Sequence, residues 1–178
     1  MTLPMRRVVT GHDADGKAVI VADGEAPRSW RRPSGLRPRL CWVADAMPIG
    51  NVGHSDGGDQ DIGIPPPPHG SVFRLVAFSS EGDDLDHADP TGQEMRKAAG
   101  AIVKDDEGLT ARHSGMHTTN TIDDAVMLSG EIDLLVDEDE VHLQAGDVVQ
   151  RSTYHAWANR GTELCRIAFI LIDAVPVP

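Results

Sequence analysis

From Ala125 to Ile172 the chain is a succession of short apolar runs cut by glycine-rich and acidic turns, and this punctuation constrains the fold more than any other feature. Ala125 to Leu128 is apolar, and Ser129-Gly130 marks a turn. Glu131-Ile-Asp-Leu-Leu-Val136 resumes, Asp137 to Glu140 forms a charged hairpin tip, and Val141-His-Leu follows. Ala145-Gly146-Asp147 turns again before Val148-Val149-Gln150, and Tyr154 to Ala158 and Leu164 to Ile172 complete the set. Runs this short, recurring about every 8–12 residues, point to antiparallel strands in a jelly roll or barrel. The expected class is all-β.

Upstream, Ser71 to Phe78 reads as a strand, and Arg7 to Thr10, Ala18 to Val21 and Leu40 to Val43 as shorter ones. Pro27, Pro33 and Pro38 break any long element there, since proline fixes φ and lacks an N–H. Residues 44–70 are turn-rich and contain Pro65 to Pro68, a stiff connector. One short helix is expected over Gln93 to Ala99, after an acidic loop from Glu81 to Asp89. The economical division is an N-terminal extension, 1–70, whose strands pack on a barrel formed by 71–178.

With 178 residues the chain suits a single domain able to bury a core without disulfides. Its two cysteines, Cys41 and Cys165, match no metal or redox spacing and read as free thiols. Acidic residues number 28 against 16 basic, for a net charge of -12, which disfavours phosphate backbones and anionic membranes. No run reaches the roughly 18 apolar residues of a membrane span. Arg6-Arg7 before the short pair Val8-Val9 makes no signal peptide, so a cytoplasmic protein is expected.

The residues with chemistry lie in the second half. His117 and Thr119, two apart, share a face if the segment is extended. Asp123 follows four residues after Thr119, and His155 comes later. Two histidines and a carboxylate on neighbouring strands suit a divalent transition metal with open positions. Trp157 shares a face with His155 by the same parity and is a candidate pocket wall, whereas Tyr154 points away. Thr119 is a candidate for binding a substrate oxygen. Gln150 is a candidate for orienting substrate, although a bulge is required to bring it to the face of His155. Arg74, Arg112 and Arg151 are candidates to give the pocket local positive charge. His113 reads as a surface histidine, and His142 as exposed.

The same residues resemble the two motifs of the cupin superfamily, G-x5-H-x-H-x3,4-E-x6-G and G-x5-P-x-G-x2-H-x3-N. His117, Gly130, Gly146, His155 and Asn159 match. Thr119 stands for the second histidine and Asp123 for the glutamate. Gln150 and Ser152 stand for the proline and glycine of the second motif, and Ala111 for the opening glycine of the first. The resemblance covers roughly 110–173. It implies a double-stranded β-helix, of the cupin or jelly-roll type, with a pocket in the barrel mouth. It also implies decarboxylation, dehydration or cyclisation of polyketide-like or aromatic molecules.

The leading expectation is therefore a lyase or isomerase acting on a small molecule. Its divalent metal, Fe, Zn, Mn or Ni, would be held by His117, Asp123 and His155, which would also do the catalysis. Its substrate would be bound by Thr119, Gln150 and Trp157. A non-haem Fe(II) dioxygenase is the second expectation. A metal-free binding or sensor module, suggested by the loss of the second histidine, is the third. A homodimer is expected because an extended N-terminus needs an edge to pair with.

Overall fold

At Gly130 the chain leaves one sheet and enters another. The glycine separates the strands Thr121–Ser129 and Glu131–Val136 with φ 77°, a conformation that side chains disfavour. A Cβ there would stand 2.8 Å from the Cα of Cys165, so the close approach of the last strand also requires glycine. The chain, seen in a computed structural model, is described over residues 5–32, 35–52, 55–81, 90–104, 112–151 and 153–176.

The elements in order are β1 (Arg6–His12), β2 (Ala18–Glu25), β3 (Arg28–Ser29), β4 (Arg37–Ala44), β5 (Ser71–Phe78) and α1 (Pro90–Ala98). They continue with β6 (Thr121–Ser129), β7 (Glu131–Val136), β8 (Glu140–Gln144), β9 (Val148–Gln150), β10 (His155–Ala158) and β11 (Cys165–Asp173). A six-stranded antiparallel sheet has the order β3-β4-β5-β11-β6-β9, and a three-stranded one the order β10-β7-β8. The fold is all-β, a cupin-type β-barrel: the strand spacing predicts the antiparallel barrel, and the motif resemblance its type.

Period-two patterning explains the packing. Cys165, Ile167 and Leu171 of β11 are buried, while Arg166 and Ile170 are not. Ala125 and Met127 of β6 alternate in the same way with Val126 and Leu128. These inward residues meet Ile132 of β7 and Leu143 of β8 in one apolar cluster between the sheets. Fully burying a side chain of this size stabilises the fold by roughly 1.5–3 kcal/mol.

Register then sets which inward residues become neighbours. Val72 lies opposite Leu171, and Leu171 opposite Asp123. One row along, Arg74 lies opposite Phe169, and Phe169 opposite Ala125. Polar groups on β5 and β6 thus share the concave face with aromatic and aliphatic neighbours.

Within 1–70, β3 and β4 are strands of the large sheet, with Leu40 and Val43 buried against Val72. Only β1 and β2 form a ribbon of their own. Arg7 ties that ribbon down by ion-pairing with Asp56 and donating to the carbonyl of Cys41 at 3.0 Å. The helix begins three residues before the expected Gln93, at Pro90, a residue suited to a first helical turn. Of the expected acidic loop, residues 82–89 lie outside the described residues. Cys41 and Cys165 are free and buried. Among the described residues, no helix is long and apolar enough to cross a membrane.

Candidate functional site

His117 and His155 are direct cross-strand partners. The backbone N–H of each donates to the carbonyl of the other, at 2.9 and 3.0 Å. Opposed residues in an antiparallel pair project to the same side, so their rings stand 5.0 Å apart, tilted by 42°.

Each ring is tied in the same way. Nδ1 of His117 lies 2.8 Å from the carbonyl oxygen of Gly115, and Nδ1 of His155 lies 2.8 Å from that of Thr153. A carbonyl only accepts, so in each ring Nδ1 carries the proton and Nε2 carries a lone pair. Among the described residues no protein group bonds to either Nε2, and both rings line a cavity of about 330 Å³. Tying the remote nitrogen to a carbonyl is how proteins fix the tautomer of a ligating or basic histidine.

Burial pushes the His117 pKa down to about 3, aided by the charges of His155 and Arg96 and opposed by the Gly115 carbonyl. Burial also lowers that of His155, opposed by the Thr153 carbonyl and the charge of Asp123. Both imidazoles are therefore neutral at pH 7. Among the described residues, a carboxylate, that of Asp123, acts to favour the protonated form of His155 and none does so for His117.

Asp123 lines the same cavity from β6. Thr119 lines it too, buried, with its hydroxyl 2.5 Å from that of Thr121. Trp157, two residues past His155 on β10, packs edge-on against that ring at 5.8 Å. It also meets Phe169 edge-on at 5.4 Å, giving the cavity an aromatic wall. Five of the six expected site residues, His117, Thr119, Asp123, His155 and Trp157, thus face one space. Among the described residues, however, no three His, Cys, Asp or Glu side chains gather closely enough to make a ready metal site. The two histidines are the intimate pair, with Asp123 further along the wall.

Gln150 requires a correction. It is exposed, outside the cavity, and its amide donates to Asp124 at 2.9 Å. Register explains this: Gln150 lies opposite Asp124, and Asp124 faces away from the side that Asp123 lines. Of the three arginines expected near the pocket only Arg74 lines it. Arg112 instead pairs with Glu140 on the surface, and Arg151 sits exposed in a left-handed turn with φ 73°. His113 is not a surface residue, since its side chain is 13% exposed, with Nε2 3.2 Å from Glu81. His142 is exposed. Ser152 and Ala111 lie outside the described residues.

Sequence reasoning missed Arg32, Arg96 and Phe169 in the cavity wall. For Phe169 a signal existed, because it falls on an inward position of β11. Arg32 precedes β4 and Arg96 comes from α1, and only tertiary packing brings them to the barrel. Asn159, a motif residue, does no chemistry. It is 1% exposed, and its Nδ2 donates to the carbonyls of Phe78 and Glu163 at 2.9 and 2.8 Å. It braces the turn after β10 against the end of β5.

Comparison with known proteins gives a context for this geometry. No protein-family profile matches the chain. It is 31% identical over 182 residues to the phomopsin biosynthesis cluster proteins C' and D of Diaporthe leptostromiformis, across 96% of this chain and 79% of each relative. It is 25% identical to the cupin-domain-containing oxidoreductase virC of Hypocrea virens, across 96% of this chain and 77% of that protein. Among solved structures, it is similar to the Schizosaccharomyces pombe Cnp3 cupin domain. The TM-score is 0.45 and the identity 11%, over 94% of this chain and 87% of that one.

Proposed function

This chain belongs to the cupin superfamily, and on that premise we propose that its cavity is the active site of a small-molecule enzyme with non-oxidative lyase or isomerase chemistry. The favoured reactions are decarboxylation and dehydration of an oxygenated or aromatic substrate. One observation carries this reading: two neutral imidazoles present Nε2 lone pairs, unpartnered among the described residues, side by side to a largely apolar cavity. Relatives named for the biosynthesis of phomopsin support a substrate drawn from natural-product assembly.

The residues divide the work by their surroundings. His155 is the better base, because Asp123 favours the imidazolium that proton transfer would create. In a dehydration its Nε2 takes a proton from carbon, a C–C double bond forms, and the C–O bond one carbon further breaks. The imidazolium returns that proton to the departing oxygen, which leaves as water. His117, held neutral by burial and by nearby positive charge, stays an acceptor. Trp157 and Phe169 exclude water and hold an apolar body.

A divalent metal fits the chemistry of this donor set, two imidazoles with fixed tautomers and a carboxylate in the same cavity. His117 and His155 would hold Fe, Zn, Mn or Ni through the same Nε2 lone pairs that otherwise serve acid–base chemistry, so the two roles are alternatives, and Asp123, further along the wall, is the third candidate ligand. Bound there, the metal would supply Lewis acidity to a substrate carbonyl or carboxylate. The test is elemental mass spectrometry on untagged protein beside a His117→Ala/His155→Ala double variant. Near-stoichiometric metal that is lost in the variant is expected. Metal-free wild type, even after reloading, would sink the metal reading and leave acid–base catalysis or simple ligand binding.

A second reading is an Fe(II) dioxygenase, favoured by the relative named an oxidoreductase. Oxygen consumption on iron loading separates it from the lyase. A cytoplasmic homodimer belongs to the same proposal, with Val8 and Ile20 exposed on the β1–β2 ribbon as its contact. A solution mass equal to one chain would refute the dimer.

A further inference from the structure

Arg74 enters the cavity from an unusual setting. It stands on β5 on the same face as Val72 and Val76, both buried, and directly across from Phe169. Among the described residues its guanidinium makes one hydrogen bond, donated to the carbonyl of Gly63, and no ion pair. Arg32, beside it in the wall, has no ion pair either among the described residues, and the two positive charges repel. Burial, helped by the charge of Arg32, lowers the Arg74 pKa to about 10.

This arrangement is unfavourable by itself. Two like charges in partly apolar surroundings cost free energy unless something negative compensates them. The chain carries 28 carboxylates, yet none is placed on these two arginines among the described residues. A guanidinium with donors to spare, in an apolar cavity, is the arrangement that recognises a planar oxyanion in bidentate fashion.

We propose that Arg74, with Arg32, forms a carboxylate-binding subsite, and that the substrate is a carboxylic acid with an apolar, aromatic-sized body. This deepens the active-site reading above and rests on it. The charges also fix the direction of binding. Asp123 lies on β6 and Arg74 on β5, with β11 between them, so their backbones are about 10 Å apart across the sheet. A carboxylate is drawn to the arginines and repelled by Asp123. It is then a handle, and bond breaking takes place at the other end of the molecule, beside His155 and His117. The same two arginines also wall a smaller hollow of about 150 Å³, which Asp61 lines as well. Asp61 is absent from the wall of the larger cavity, so the anion sits on that cavity's side.

The test uses trans-cinnamate and its neutral counterpart cinnamamide as probes, with dissociation constants from calorimetry on the full chain. Wild type is expected to bind the acid at least about tenfold more tightly than the amide. Arg74→Gln should erase that preference while leaving amide affinity within about twofold. Arg32→Gln, whose side chain makes no hydrogen bond among the described residues, should reduce the preference and guards against a folding defect at Arg74. Equal binding of acid and amide by wild type, or no saturable binding of the acid at millimolar concentration, would overturn the proposal. So would a preference that survives in both variants. The His117→Ala/His155→Ala variant should keep the acid preference. The subsite can therefore fail while metal is bound, or stand while the metal reading fails.

Discussion

Replacing Asn159 by alanine isolates what a motif residue does when it performs no chemistry. The side chain is buried to 1% exposure and makes three hydrogen bonds: two donated to the carbonyls of Phe78 and Glu163, and one accepted from Gly161 N–H at 3.1 Å. Each buried bond contributes about 1 kcal/mol net, and partners left unsatisfied add to the loss. Asn159→Ala should therefore cost about 3 kcal/mol. With a urea slope of about 2 kcal/mol/M, the midpoint should fall by about 1.5 M. For a chain of this size Tm should fall by roughly 6–12 °C. Asn159→Asp keeps only the acceptor for Gly161 and turns a carboxylate toward two carbonyls, so at pH 7 it should be no more stable than the alanine variant. Urea unfolding followed by tryptophan fluorescence reads both. A loss below about 1 kcal/mol at unchanged slope would refute the bracing role, since no arrangement of three buried bonds costs so little.

Two further outcomes follow from the same physical reasoning. Gly130→Ala meets both a φ of 77° and a backbone contact at 2.8 Å, whereas Gly146→Ala meets only its φ of 100°, in open space. The first should cost more than about 3 kcal/mol or prevent folding, and the second roughly 1 kcal/mol. Equal midpoints in urea would contradict this. In metal-free protein the His117 pKa near 3 means that the unfolded chain takes up a proton below pH 6.5 while the folded chain does not. Stability should therefore be full above about pH 6.5 and fall as pH drops toward 3, by an amount on the order of 4 kcal/mol. A His117→Gln variant should lose much of that slope, and an unchanged slope would show that the ring is not held neutral.

Much of this fold is legible in the sequence because strands leave a two-residue signature and jelly-roll turns need glycine. Parity alone brings His117 and Thr119, and His155 and Trp157, to one face. Spacing picks Asp123 over Asp124, and the register of β6 with β11 agrees. What is not legible comes from strand neighbours that no local pattern encodes. Gln150 is turned outward because β9 pairs with β6 opposite Asp124. His113 is drawn in by Glu81, far away in sequence. Arg32 and Arg96 reach the cavity from outside the barrel strands. Arg74 leaves a local trace, as a lone charge on the inward face of β5, but only the fold shows that no carboxylate among the described residues answers it.

Thr119 and Arg74 together suggest how this cavity differs from one built around a fully ligated metal. A histidine at 119 would add a third imidazole to the face shared by His117 and His155. Threonine instead leaves that volume open, and its hydroxyl is engaged with Thr121 rather than extended toward the histidines. A centre with fewer protein ligands has more open positions and therefore constrains a bound substrate less. Orientation must then come from elsewhere in the wall. Arg74, two strands away from Asp123 with Phe169 between them on β11, and Arg32 beside it provide it. The handle binds on one side, the apolar body lies across the aromatic ring, and the reactive end meets the histidines. On this view, the threonine at 119 and the guanidinium of Arg74 act together: the first leaves room beside the histidines, and the second orients what occupies it.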